Sequence, residues 1–339
     1  MRAPVRDAQR SERGVVIIWT AFFLLAMLGF VAIGIDVAKL MATRTQLQNT
    51  ADAAALAGAS AIDFKSGKLV QDAASVRAKT TAAQNKAFVN APVSVTLLGG
   101  DISFPNTNQI KVTVRRSSAS DGSMVTHVAQ VLGLKTLDVS ATAVAQVDTA
   151  GEPCEGLVPM APITPPADWF KPDCATVYQL KADQGSSLSG NYQLLDFPQC
   201  SEGPCGEIQG GGAAAIRCQT RYGYSCCVKL GDEWVWTQPG NKVGPFRAGI
   251  QGRWDADTDR RENICFDEYQ GNGNRVVRLP VIETFNVNGR KMVHIIAFSA
   301  FFLVKRPSTS DLWGQFVYDI VPGNGGPGKG TLFTIRLVQ

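Results

Sequence analysis

The feature that most constrains this chain is a long run of uncharged residues near its N-terminus. The run extends from Val15 to Ile35, 21 residues without an acidic or basic side chain. At about 1.5 Å of rise per residue, a helix of this length matches the roughly 30 Å hydrocarbon core of a bilayer. The sequence therefore predicts a transmembrane helix over residues 14–35, preceded by a short polar stub over residues 1–13.

The helix is predicted to continue beyond the membrane. Asp36 ends the apolar run, but no proline follows before Pro92, and good helix formers dominate the sequence after Asp36. Apolar and small residues recur at alternating spacings of four and three, which marks one helix face. Small residues let another helix backbone approach closely, so this face is predicted to dock a partner or a second copy of the chain. An alanine-rich spacer helix without a partner is the alternative. The predicted interface residues are Leu40, Arg44, Leu47, Ala51, Ala54, Gly58 and Ala61.

A specific motif lies across the junction between the membrane segment and the predicted continuation of the helix, which we call the rod. Residues 34–59 read GxDVxxLxxxRxxLQNxADAAALAGA. This series resembles the N-terminal Tad domain of the TadE/TadG-like proteins of the bacterial Flp (tight-adherence) pilus apparatus. In pilins and TadE-like members, a Glu follows the processing site by five residues. A cut after Gly14 would place Trp19 there, and this departure favours the uncleaved, TadG-like side of the family.

The resemblance implies a structural function rather than a catalytic one. It implies a membrane-anchored structural or assembly component of a Tad pilus or a related secretion apparatus, which binds other pilus-assembly or pilin-like proteins in the periplasm. The alternative is a membrane-tethered adhesive or ligand-binding ectodomain unrelated to pilus assembly. We predict no enzyme activity, because no G-x-S-x-G occurs and neither histidine lies in a recognised catalytic motif. No small-molecule substrate is expected.

The cysteines and the charges predict the topology. An even number of cysteines beyond the membrane segment predicts disulfides in an oxidising compartment such as the periplasm. Four arginines precede the span, whereas only Lys39 and Arg44 follow it within about fifteen residues, which favours a cytoplasmic N-terminus. The sequence thus predicts a single-pass protein of the bacterial inner membrane with periplasmic C-terminal domains. The candidate cysteines are Cys154, Cys174, Cys200, Cys205, Cys218, Cys226, Cys227 and Cys265.

Of the many possible pairings, the sequence suggests two features. Cys226 and Cys227 are adjacent and are expected to pair with different partners, and Cys200 with Cys205 is a guess at a small closed loop. Structural zinc is disfavoured because the chain has no CxxC motif and only two histidines.

The remaining sequence predicts an α+β fold. A turn at 63–68 and a second helix over 69–90 are followed by strands at 93–98, 110–115 and 137–147, with a helix over 121–133. The rod and a small α+β domain, pilin-like by analogy, are predicted to occupy residues 36–148. A proline-rich linker over 149–173 and a β-rich, cysteine-containing domain over 174–339 complete the chain.

The C-terminal region carries a strong hairpin signal. Segments 276–287 and 291–304 flank Asn288 and Gly289, two residues that tolerate positive φ. The second segment contains 13 consecutive residues, MVHIIAFSAFFLV, too few to cross a membrane, and is predicted to be a strand buried on both faces. Two further strands are predicted at 313–321 and 331–338.

One acidic series raises the question of a metal. Asp255, Asp257 and Asp259 alternate as the oxygen ligands of a calcium loop do, but Arg260 and Phe266 stand where such a loop needs Gly and Glu. We predict no cofactor and a solvated charged loop, with Ca²⁺ at these three aspartates as the alternative. The net charge of +4 is spread along the chain, so nucleic acid is not an expected partner.

Overall fold

The computed structural model describes residues 9–89, 91–118, 122–126, 130, 133–162, 174–180, 191–208, 212–231, 235–239, 242–283, 289–308, 311–327 and 329–338. The helices are α1 (Gln9–Ala59), α2 (Gln71–Gln84), α3 (Ala213–Tyr222) and α4 (Val243–Asp255). The strands are β1 (Lys86–Val89), β2 (Ala91–Ser94), β3 (Ile102–Ser103), β4 (Gln109–Arg116), β5 (Met124–Val125), β6 (Thr136–Leu137), β7 (Val139–Pro153), β8 (Tyr178–Leu180), β9 (Asn191–Asp196), β10 (Val235–Pro239), β11 (Val276–Ile282), β12 (Met292–Val293), β13 (Ile295–Leu303), β14 (Leu312–Val317), β15 (Asp319–Ile320), β16 (Gly323–Gly325), β17 (Lys329–Gly330) and β18 (Leu332–Val338).

These elements form two compact units. The first unit comprises the described residues of 1–55, 76–103 and 111–144, and the second those of 56–75, 104–110 and 145–339. Both helices and sheets contribute, and the disulfides lie in the β-rich C-terminal region. The predicted α+β class is confirmed.

Helix α1 is a single element of 51 residues. It begins at Gln9, five residues before the predicted span, and continues without a break beyond Asp36 to Ala59. Because this stretch contains no proline and is rich in Ala and Leu, no backbone hydrogen bond of the helix has to be broken. The predicted continuation of the membrane helix into a rod is therefore confirmed.

The predicted helix over 121–133 is wrong where the structure describes it. Residues 119–121, 127–129 and 131–132 lie outside the described residues, but β5 pairs antiparallel with β6, with Met124 opposite Leu137 and Val125 opposite Thr136. The Thr126 side chain donates to the Leu134 carbonyl, and Gly133 adopts φ 88°, a conformation that breaks a helix. Helical spacing of apolar residues was a misleading signal in this short segment.

The proline-rich interval contains more order than a linker. Strand β7 runs past the predicted strand end at 147 to Pro153, so its last residues lie inside the interval 149–173. Leu157, Val158 and Met160 are buried in the second unit, and Val158 donates its backbone N–H to the Arg278 carbonyl. Residues 163–173 lie outside the described residues.

The second unit is built around a mostly antiparallel sheet in the order β11-β13-β14-β8. Strand β11 pairs with β13 from Val276 opposite Phe302 to Val281 opposite Ala297, which confirms the predicted hairpin partners. Every residue of β13 except Ile296 is buried, as expected for a strand covered on both faces. Asn288 lies outside the described residues, and Gly289 has φ 71°.

Four disulfides brace the second unit. They join Cys154 to Cys227, Cys174 to Cys265, Cys200 to Cys226, and Cys205 to Cys218. The expectation that Cys226 and Cys227 have different partners is confirmed. The guess that Cys200 pairs with Cys205 is wrong, because Cys205 lies beside Cys218 of α3, with 5.8 Å between the Cα atoms.

Candidate membrane anchor and its packing face

Large apolar side chains are exposed along the whole predicted span. Trp19 is 72% exposed and Phe30 is 76% exposed, and the most apolar stretch of the helix has no buried residue. Among the described residues, α1 is the one helix long and apolar enough to cross a membrane. An apolar surface of this extent is stable in lipid and unfavourable in water. Helix α1 is therefore the candidate single-pass anchor.

Beyond the span, the predicted packing face of α1 is already filled by this chain. Leu47, Ala51 and Ala54 have no exposed surface. Gly58 and Ala61 are buried as well, whereas Leu40 is half-buried and Arg44 is exposed. Within this chain the small residues Ala51 and Ala54 are already covered, and docking of a partner or a second copy on the predicted face stays a prediction.

This packing makes Ala54 intolerant of a larger side chain. We expect Ala54→Leu to lower the free energy of unfolding of the full chain in detergent by about 1–3 kcal/mol, because the added atoms overpack a filled face. Ala42→Leu is the matched control, since Ala42 is exposed on the same helix. Thermal unfolding followed by circular dichroism compares the two. Equal melting temperatures for the two variants would contradict the intramolecular packing.

Three polar residues of α1 are buried beside the small residues, and the sequence pattern did not predict their burial. Asp36, Thr43 and Thr50 are 7%, 1% and 2% exposed. The Thr50 hydroxyl donates to the Gln46 carbonyl at 2.9 Å, which lets the helix bury it without an unsatisfied donor. A signal was present in the sequence, because these three residues recur every seven positions beside the row that contains Leu47 and Ala54.

In the second unit, the turn that follows α1 binds to the C-terminal region. The Phe64 ring packs edge-on against Phe266 with 4.9 Å between centroids, and Lys65 forms an ion pair with Asp267. The Tyr318 amide donates to the Phe64 carbonyl at 3.1 Å. The sequence predicted only a turn here, because the partners lie some two hundred residues away in sequence.

Gly67 closes this turn against two aromatic rings. It has φ 65°, and a Cβ at this position would lie 2.8 Å from the Tyr318 ring and 2.9 Å from the Phe333 ring. Both the backbone conformation and the close contact therefore require glycine.

A groove of about 390 Å³ lies near the Cys174–Cys265 disulfide. Its lining includes Glu268, Trp313 and Lys305. The Lys305 ammonium lies 4.0 Å from the centre of the Trp313 ring, so the charge occupies a face of the aromatic ring that a ligand would otherwise stack on.

The acidic series is held by protein donors. Asp255 accepts two bonds from Arg306, at 2.9 and 2.8 Å. Asp257 accepts from the Tyr269 hydroxyl at 2.5 Å, and Asp259 accepts from the Arg261 guanidinium at 2.9 and 2.7 Å. These three carboxylates thus serve as acceptors within the fold, which agrees with the preferred interpretation of a charged loop; Ca²⁺ at Asp255, Asp257 and Asp259 stays an untested alternative.

Among the described residues, one group of three side chains brings possible metal-ligand atoms close together. It consists of Cys174, Cys265 and Asp267. The two sulfurs are joined in a disulfide, so they offer no thiolate to a metal ion.

The carboxylates organise a loop around one buried arginine. Arg275 has no exposed surface, and its Nε and Nη2 donate to the Leu303 carbonyl at 2.9 and 2.6 Å. Its Nη1 donates to the carbonyls of Asp259 and Arg261 at 3.0 and 2.8 Å. The guanidinium carbon also lies 4.1 Å from the centre of the Trp254 ring. One side chain thus ties three segments of the second unit together.

Stability should depend on pH through Asp259. Hydrogen bonds from the Arg261 side chain and the Gln270 amide lower the pKa of Asp259 well below its ordinary value. Its contribution to folding is therefore complete above about pH 4, the unfolded pKa, and is lost as the pH falls further toward the folded pKa. We expect Asp259→Asn to lower the melting temperature at pH 6 and to have a smaller effect at pH 2.5. A difference that stays constant across this range would contradict the assignment.

Comparison with known families places α1 in context. Residues 14–61 match the Tad family model, described as Flp pilus-assembly TadE/G-like. This match confirms the resemblance seen in the motif at residues 34–59. Neither the curated proteins nor the solved structures contain a match to this chain. The Tad match covers the anchor and the packing face, and it ends just before the turn that contains Phe64.

Proposed function

We propose that this chain, whose residues 14–61 match the Tad family model, is a membrane-anchored structural component of a Tad (Flp-type) pilus assembly apparatus that acts by binding other proteins. The observation that carries this proposal is the unbroken α1, which joins an apolar span to a buried packing face within the matched region. The proposal is non-enzymatic and requires no cofactor. Its partners are other pilus-assembly or pilin-like proteins.

The proposed orientation places the N-terminus in the cytoplasm and both units in the periplasm. Arginines precede the span, and all eight cysteines are paired after it, which suits an oxidising compartment. Maleimide labelling of intact and opened cells, with and without reductant, tests this orientation. We expect labelling only after reduction. Eight reactive thiols in opened, unreduced cells would overturn it.

The partner surface is proposed to be the exposed face of α1, since the small-residue face is filled. Thr45 and Asn49 lie on this face outside the span, and Arg44, at the membrane-proximal end of the predicted packing row, is exposed beside them. A bound partner would therefore contact polar side chains that the fold does not need for its core.

A charge-reversal experiment tests the proposed function. In cells that produce the pilus, we expect deletion of the chain to abolish surface filaments, and Arg44→Glu with Asn49→Glu to reduce them strongly while the protein level stays normal. Arg336→Glu, on an exposed side chain of the second unit, is the control. Wild-type filament numbers in the deletion strain would overturn the proposal.

A further inference from the structure

We propose that the Cys174–Cys265 disulfide of the second unit is a site of reversible thiol–disulfide exchange, and that its partner is a dithiol protein of the thioredoxin class. The partner docks on the groove that both cysteines line. This inference goes beyond the proposed function, because it rests on described residues of the second unit alone and requires no pilus protein.

Access distinguishes this disulfide from the two that lie near α3. Cys174 is exposed and Cys265 is half-buried, and both line the groove of about 390 Å³. Cys205, by contrast, is only 9% exposed, and the cavity that it lines together with Cys200 has about 30 Å³, the share of a single water molecule in the liquid. Exchange requires a thiolate to reach a sulfur atom directly, so a disulfide beside an open groove is the better target for a protein thiol.

The remaining disulfide separates simple exposure from docking. Cys227 is exposed like Cys174, but neither Cys227 nor its partner Cys154 lines the groove. A small reductant needs only an exposed sulfur, whereas a protein must also seat the backbone around its reactive thiol. Preference for Cys174–Cys265 is therefore expected with a protein reductant and not with a small one.

The charges at the groove allow a thiolate to approach. Lys305 and Glu268 both line the groove, so their charges offset each other. A carboxylate oxygen of Asp267 lies within 4.8 Å of both sulfurs, but this carboxylate forms an ion pair with Lys65. Lysine ammonium groups beside a cysteine favour the thiolate over the thiol. A sulfur released here can therefore leave as an anion.

The exchange transfers two electrons in two substitution steps. A thiolate of the partner attacks Cys174 Sγ, a bond between the partner and Cys174 forms, and Cys265 leaves as a thiolate that takes a proton from water. The second thiolate of the partner then attacks the partner's own sulfur in this mixed disulfide, and Cys174 leaves and is protonated in turn. The partner ends as a disulfide and this chain as a dithiol. The reverse sequence with an oxidised partner restores the bond.

One buried side chain keeps the opened site ready to close. Gln315 is 4% exposed, its Oε1 accepts from the Phe266 amide at 3.3 Å, and its Nε2 donates to the Cys174 carbonyl at 3.4 Å. These two bonds hold both cysteine segments to the same side chain without the disulfide. Gln315 is therefore a positioning residue for re-formation of the Cys174–Cys265 bond.

The exchange acts on the turn that follows α1. Phe266 and Asp267 come directly after the second cysteine, and they contact Phe64 and Lys65. Opening the disulfide removes the covalent restraint on this loop, so its hold on the turn weakens. The Tyr318 amide, which donates to the Phe64 carbonyl, should then exchange its hydrogen with solvent faster.

Thiol trapping on the purified full chain in detergent tests the proposal. One sample receives a catalytic amount of thioredoxin, kept reduced by thioredoxin reductase and NADPH, and a parallel sample receives dithiothreitol. New thiols are alkylated and located by peptide mass spectrometry. We expect thioredoxin to open Cys174–Cys265 about tenfold faster than Cys154–Cys227, and dithiothreitol to open the two at similar rates. Thioredoxin that lacks its second cysteine should be trapped on Cys174.

Two results would overturn the inference. One is that thioredoxin opens Cys154–Cys227 first, and the other is that it leaves Cys174–Cys265 closed while dithiothreitol opens it. Either result would leave the proposed pilus function untouched, since that function requires no exchange.

Variants test the groove and the turn separately. Val177 lines the groove and is 47% exposed, so Val177→Trp should slow opening by thioredoxin several-fold. The matched control is Val70→Trp, because Val70 is 40% exposed and does not line the groove. Equal rates for these two variants would refute docking on the groove. Gln315→Leu should slow re-closure by oxidised thioredoxin more than it slows opening.

Hydrogen exchange measures the effect on the turn. Replacing Cys174 and Cys265 together by Ser should raise the exchange rate of the Tyr318 amide several-fold, because the loop that contacts Phe64 is then no longer restrained. Replacing Cys205 and Cys218 by Ser is the control and should leave this amide unchanged. The same rate in both double variants would refute the coupling between the disulfide and the turn.

Discussion

Replacing Arg275 by Met is expected to lower the free energy of unfolding of the second unit by about 3–5 kcal/mol. The methionine fills much of the volume but donates no hydrogen bond. The carbonyls of Leu303, Asp259 and Arg261 would then lose the donor that now satisfies them. The cation–π contact between the guanidinium and the Trp254 ring would be lost as well, because methionine carries no charge. Denaturant unfolding of the full chain in detergent, followed by near-ultraviolet circular dichroism, measures the change.

The control for this prediction is an arginine whose partner is a carboxylate at the surface. Arg306 forms a bidentate pair with Asp255, but both side chains are about half exposed. Solvent screens such a pair, so Arg306→Met should change the free energy of unfolding by no more than about 1 kcal/mol. If the Arg275 and Arg306 variants unfolded at the same denaturant concentration, the central role of Arg275 would be refuted.

The second large effect is expected from the Cys154–Cys227 disulfide. Its cysteines are 73 residues apart in sequence, so the bond restricts a long loop of the unfolded chain. Replacing both by Ser should lower the free energy of unfolding by about 4 kcal/mol on the chain-entropy account. The bond also joins the end of β7 to the segment whose Val228 amide donates to the Pro153 carbonyl at 3.0 Å, so its loss frees both segments.

A shorter disulfide provides the comparison. Cys205 and Cys218 are only 13 residues apart, and the same account gives about 3 kcal/mol for their removal. Before rounding, the two values are about 4.4 and 2.9 kcal/mol, so the two double variants, measured side by side in the full chain, should differ by about 1.5 kcal/mol in the same direction. A larger loss from the Cys205–Cys218 variant would show that native packing, not loop length, sets the effect.

Local sequence signals were sufficient for the longest elements. The absence of proline between Asp36 and Ala59 predicted that α1 continues beyond the span, because helix continuity depends on residues within one or two turns. The β11 and β13 pairing followed from the Asn288–Gly289 signal for similar reasons. Both outcomes depend on contacts that are close in sequence.

The sequence did not reveal which residues that are distant along the chain contact each other in the fold. The pattern at Leu47, Ala51 and Ala54 indicated close packing but carried no information on whether the neighbour belongs to the same chain. The sequence near Arg275 gave no indication that three distant carbonyls surround its side chain. The Cys200 guess failed for the same reason, because the shortest separation was preferred over the geometry that a folded α3 provides.

The hydrogen-bond partners of the acidic series could not be predicted from its spacing. Asp255, Asp257 and Asp259 alternate as the ligands of a cation-binding loop do, yet each carboxylate accepts from a donor of the protein. These donors are Arg306, Tyr269 and Arg261, and two of the three are more than ten residues from their partner in sequence.

The turn after α1 has a mechanical consequence. Because the Phe64 ring, the Lys65 ammonium and the Phe64 carbonyl are all held by C-terminal residues, tension applied to the C-terminal region reaches the end of the anchor helix through these lateral contacts as well as along the polypeptide. The load is shared between an aromatic contact, an ion pair and a hydrogen bond. Tension on the second unit would therefore be divided among these three contacts before it reached the end of α1.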